Sequence, residues 1–183
     1  MPTADTTPSS APLHPARSLR APLELTVGAR SVAFVWREDR WTHRVGKLNA
    51  DHENHAGWES VDGPWPHSGD PRWPASPVLV ELSRVHTAGG PAIVGVGLAG
   101  RSHFSACITP DAGSPDAIRF EIACRLHEAP GWLGSTYRSG EQLMRIVATD
   151  GAATLPRTVV WEYSIGPQGI FAVVGATVVM ETA

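Results

Sequence analysis

The runs "PVLVELSRVH" (77–86), "AIVGVGL" (92–98), "SHFSACI" (102–108) and "AIRFEIACRL" (117–126) decide the fold. Each alternates apolar and polar residues at period two, the mark of a half-buried strand. Even positions are apolar in all four: Val78, Val80 and Leu82, then Val94, Val96 and Leu98, then Phe104, Ala106 and Ile108, then Ile118 through Leu126. A continuous apolar face requires even residues to pair with even ones, because a one-residue slip turns a strand over. Three-residue loops at 88–90 and 99–101, with Gly100 free to take positive φ, satisfy that parity. The expectation is an antiparallel meander with its even face buried.

The odd face then carries Glu81 across from Gly97, His103 and Ala123, and Ser83 across from Gly95, Ser105 and Glu121. Two in-strand glycines flanked by Glu, Ser and His predict a shallow trough. Glycine weakens a strand unless something approaches it closely; here that is a ligand or, more commonly, a ring from a covering segment. The same parity puts Cys107 and Cys124 on opposite faces, out of disulfide reach, so two free thiols are expected.

Similar short runs flank this region. "LELTV" (23–27), "SVAFVWR" (31–37) and "WTHRVGKL" (41–48) precede it, and "TVVWEYSI" (158–165) and "IFAVVGATVVM" (170–180) follow. "LMRIVAT" (143–149) has helix-capping residues before it but is β-branched and lies among strands, so strand is preferred. About ten strands joined by short turns predict an all-β, single-domain antiparallel sandwich or barrel with little or no helix. Residues 1–21, rich in Pro, Ser, Thr and Ala, read as a disordered tail. Residues 22–183 read as one β domain interrupted by a long Trp- and Pro-rich loop at 49–76.

The bulk numbers exclude several classes. A net charge of −3 and a single Lys, Lys47, give no nucleic-acid footprint and no polybasic membrane patch. No apolar run has the length of a membrane span, and the N-terminus has no secretory apolar core, so the cytoplasm is the expected compartment. Two Cys cannot build a thiolate zinc site.

The chemical motifs fail on geometry. "GVGLAG" (95–100) has the glycine spacing of a dinucleotide loop but lies in strands, with no helix after it. "DHENH" (51–55) lacks the helix that would bring two His to one metal. His103 and Ser105 share a face but are about 7 Å apart along the strand, long for a nucleophile–base pair. Glu59 with Asp62, or Glu81 with Glu121, would serve as an acid–base pair only at a defined separation. Neither a cofactor nor a metal is expected.

"WESVDGPWPHSGDPRWPASP" (58–77) holds three Trp and five Pro. Its rings either pack as a rigid lid or form a binding surface with the carboxylates and His beside them. A ligand surface would combine Trp58, Glu59, Asp62, Trp65, His67 and Trp73 at the rim with Glu81, Ser83, His103, Ser105 and Glu121 in the trough. The chain is expected to be a non-catalytic module binding a small ligand or a partner. The alternatives are a small hydrolase using Glu59, Asp62, His67 and His103, or a self-assembling structural protein.

The strings "ESVDGPWP…WPASPVLVEL", "GVGLAGRSHFSACI" and "ACRLHEAPGWLGSTYR" resemble uncharacterised conserved proteins of planctomycete bacteria over roughly residues 30–165. The resemblance implies a bacterial source and assigns no role to any residue.

Overall fold

The computed structural model describes residues 20–48, 57–63, 70–149, 151 and 154–182. The N-terminal tail expected at 1–21 therefore lies almost wholly outside the described residues. Among the described residues there is no helix, and thirteen strands form two antiparallel sheets. One sheet contains β1 (Leu23–Val27), β2 (Arg30–Arg37), β3 (Arg40–Lys47), β4 (Trp58–Ser60), β9 (Gly134–Ser139), β10 (Gln142–Ala148) and β13 (Ala176–Thr182), in the order β1-β2-β3-β4-β9-β10-β13. The other contains β5 (Glu81–Thr87), β6 (Gly90–Ala99), β7 (Ser102–Pro110), β8 (Ile118–Leu126), β11 (Arg157–Gly166) and β12 (Gly169–Val174), in the order β12-β11-β8-β7-β6-β5. The inner faces meet in one core containing Phe34, Phe120, Tyr137, Ile146 and Trp161. This is the expected all-β sandwich.

The strand count exceeds ten for local reasons. β4 and β9 lie in segments that read as loops, because Pro and Gly surround them. The run 170–180 breaks at Gly175, which takes φ 59°. A Cβ there would meet the Val160 carbonyl oxygen at 2.3 Å, so only glycine lets the chain pass from one sheet edge to the other. The ambiguous 143–149 segment is strand β10, paired with β9 and β13 and burying Ile146.

The register of the meander corrects the sequence reading. Glu81 pairs with Val96 and Leu82 with Gly95, while Val96 pairs with Ser105 and Leu98 with His103. Both hairpin loops have two residues, Ala88-Gly89 and Gly100-Arg101, so each joins odd to even. Between β7 and β8, where Phe104 faces Cys124, even pairs with even as expected, but shifted by two residues. β7 and β8 bury their even faces, and β6 is turned over. Its small residues Gly95, Gly97 and Ala99 point inward, while Val96 and Leu98 are 50% and 53% exposed.

The cause lies in residues 77–80, which are not part of β5. Val78 and Leu79 are buried between the sheets. Trp41 N–H donates to the Leu79 carbonyl at 2.8 Å, and Val80 N–H donates to the Val96 carbonyl at 2.9 Å. A Cβ on Gly97 would lie 2.1 Å from the Val78 carbonyl oxygen, and one on Gly95 would lie 2.5 Å from Leu82 Cδ2. Gly97 admits the crossing chain, and Gly95 admits the Leu82 side chain of β5, with Leu79 Cδ2 3.4 Å from the same Cβ position. What approaches is neither an aromatic ring nor a ligand.

Ser76 anchors the crossing. Its Oγ donates to the Thr136 carbonyl at 3.0 Å and accepts from Thr136 N–H at 3.1 Å, with both residues buried. Ser76→Ala leaves the buried Thr136 N–H without a partner, while the Thr136 carbonyl still accepts from Val61 N–H at 2.9 Å. Chemical denaturation should therefore show a loss of about 1–2 kcal/mol.

Candidate functional site

The inverted β6 shapes the outer face of the six-stranded sheet. Across β5, β6, β7, β8 and β11 one row runs Glu81, Val96, Ser105, Ala123, Val160. The next runs Ser83, Val94, Cys107, Glu121, Glu162, and on the other side lie Leu98, His103, Arg125 and Thr158. Small side chains at 83, 105, 107 and 123 leave a shallow depression of about 430 Å³. That volume is within the usual range for small-ligand sites.

Val94, Val96 and Ala123 make its apolar floor, Ser83 and Ser105 supply hydroxyls, and Glu81 and Glu121 stand at its margins. Neither carboxylate forms an ion pair among the described residues, whereas Glu162 pairs with Arg119. The Cys107 thiol is pushed up by burial and then by the negative Glu121, which keeps it protonated and a poor nucleophile. Cys107 and Cys124 are both free, one on the outer face and one in the core, as expected.

Three strand spacings of ~4.8 Å separate Glu81 from Glu121, about 14 Å in all, too far for a glycosidase-type pair. His103 sits one row from Ser105 and makes no hydrogen bond with it among the described residues; its ring neighbour is His127, 6.0 Å away.

The remaining predicted residues lie elsewhere. Trp73 is 4% exposed and packs beside Gly131 in the core, so it serves as lid and not as surface. Trp58 is partly buried against the same core. Glu59 bonds Arg37 at 3.2 Å on the outer face of the seven-stranded sheet. Asp62 is exposed near Glu59, yet its carboxyl is raised to about 6, chiefly by partial removal from water, with Arg40 and Arg37 opposing. Trp65 and His67 lie outside the described residues.

A second polar cluster went unseen in the sequence. His43 Nε2 is 2.7 Å from the Tyr137 hydroxyl, which is 2.9 Å from the Tyr163 hydroxyl. Trp161 Nε1–H donates to Ser135 Oγ at 3.1 Å beside them. His43 keeps some exposure as a residue, but its ring is enclosed by Phe34, Phe120 and Tyr137. Burial pushes its pKa down to about 3 and pushes that of Tyr163 up to about 12, so both stay neutral. The void they border is about 10 Å³, room for one water at most and for no substrate. The only sequence signal was "WTHRV", a His at an inward parity position.

Among the described residues no group of His, Cys, Asp and Glu could hold a metal, and no helix is long and apolar enough to cross a membrane. No family model, curated protein or solved structure matches the chain.

Proposed function

We propose that the chain is a non-catalytic β-sandwich module that binds a small ligand on the outer face of β5–β8. The carrying observation is the inversion of β6, which sets Val94 and Val96 outward between Glu81 and Glu121, neither of which forms an ion pair among the described residues. Exposed apolar groups clustered in a concavity mark a recognition surface. An apolar floor between Glu81 and Glu121 suits a compact, partly apolar molecule that carries a positive charge or several hydrogen-bond donors. A hydrolase built from Glu59, Asp62, His67 and His103 would need Glu59 and His103 to converge, and they project from opposite outer faces of the sandwich.

Ser105→Trp fills the depression from an exposed position. Titration of the full chain with glucosamine and short alkylamines, followed by the methyl resonances of Val94 and Val96, should show saturable shifts. In the variant those shifts should weaken at least tenfold with an unchanged unfolding midpoint. Binding that survives Ser105→Trp, or a panel that moves neither methyl group, refutes the site.

A further inference from the structure

The sandwich treats its two open sides differently. On one side the edge strands are β1 and β5. They carry Glu24, Glu81, Arg84 and His86; Arg84 donates to the Glu24 carbonyl of β1, and Arg20 Nη1 donates at 2.7 Å to the carbonyl of Val80, the residue before β5. Charged residues at an edge are the usual guard against pairing with another sheet.

On the other side the edges are β12 and β13; β13 carries Glu181 near its end, ion-paired to Arg145, but β12 carries no charge. Residues 168–180, "QGIFAVVGATVVM", contain no charge and no Pro. Phe171, Val173, Val174, Val179 and Met180 are all at least 40% exposed. Even Ala172, at an inward register position opposite Tyr163, is exposed. A charge-free, β-branched run on an open edge is a template for strand addition.

We propose that this edge is the interface between two copies of the chain, joined through β12 antiparallel to β12 of the second copy. A second copy fits because a charge-free edge repels nothing in its own image, and an antiparallel edge pair closes with two-fold symmetry. β12 itself carries no charge that would select a charged partner. The five side chains expose on the order of a few hundred Å². With the backbone of the paired edges added, that approaches the ~800 Å² per partner of a stable interface. The pairing would continue the six-stranded sheet across the dimer and leave the depression on β5–β8 open, far from the axis. It is independent of the ligand reading above.

Sedimentation equilibrium of the full chain over a hundredfold range of concentration tests it. The expected mass is twice that of the chain. Val173→Lys, at an exposed position, should weaken the dimer at least tenfold while circular dichroism and the unfolding midpoint stay unchanged. Leu98→Lys, on the separate apolar row of β6, should leave the dimer intact. A monomer at every concentration overturns the proposal and points to a partner of another kind. So does a dimer that resists Val173→Lys, and so does one that Leu98→Lys dissociates.

Discussion

Gly97→Ala is expected to lower the unfolding free energy by about 3 kcal/mol, the upper end for overpacking. The added methyl would lie 2.1 Å from the Val78 carbonyl oxygen and 3.0 Å from Leu79 Cα. Both are backbone atoms of a segment bonded to β3 on one side and to β6 on the other, so no rotamer relieves the contact. Gly95→Ala is the internal comparison. Its closest contact is Leu82 Cδ2, the free end of a half-buried side chain that can turn away, so its cost should be about 1 kcal/mol. Urea unfolding of the two variants reads the difference. Similar small losses would mean that residues 77–80 do not pass beneath β6.

The second large effect is on acid stability. Burial holds His43 at about 3 in the folded chain, against 6.5 for a free imidazole. The folded state thus excludes a proton that the unfolded state takes up. The resulting stability is complete above pH 6.5 and is lost as pH falls from there toward 3. Each unit in that window costs roughly tenfold in the folding equilibrium, on the order of 1 kcal/mol. Tyr137 and Tyr163 are raised by burial and contribute nothing in this range. Asp62, raised to about 6, takes up a proton on folding in the same window and offsets this loss in wild type and in His43→Gln alike. The effect is therefore read as the wild-type urea midpoint relative to that of His43→Gln, which is weaker at neutral pH. That difference should drop between pH 6.5 and 4.5. Parallel curves for the two proteins would show that His43 titrates freely.

The fold class was legible because short runs at period two, separated by Gly and Pro, fit only a layered β structure. The interior faces of β7 and β8 were legible for the same reason: their large apolar residues all point one way. β6 was not. Its large residues lie on the outside and its glycines inside, so hydrophobic alternation named the wrong face. Nothing local announces that Val78 and Leu79 leave the strand pattern to run between the sheets. The true loops differ from the expected ones by a single residue, and that difference reverses every side chain between them.

The candidate site was legible in part. Glu81, Ser83, Ser105 and Glu121 line the depression as the parity argument placed them, because β5, β7 and β8 kept their faces. Its apolar floor, Val94 and Val96, was missed with the inversion of β6. His103 stands one row away. The Trp-rich stretch divided: Trp73 belongs to the core and Trp58 packs against it, while Glu59 faces the opposite solvent. Sequence spacing could not separate these outcomes, since it does not report which sheet a loop crosses.

The orientation of β6 is the point on which fold and site both depend. Methyl relaxation in a soluble paramagnetic agent measures it directly. The methyl groups of Val96 and Leu98 should broaden as strongly as those of exposed Val160, while those of Ile93 and Ile108 stay protected. Protected Val96 and Leu98 beside a broadened Ile93 would return β6 to the opposite face and remove the apolar floor of the proposed site.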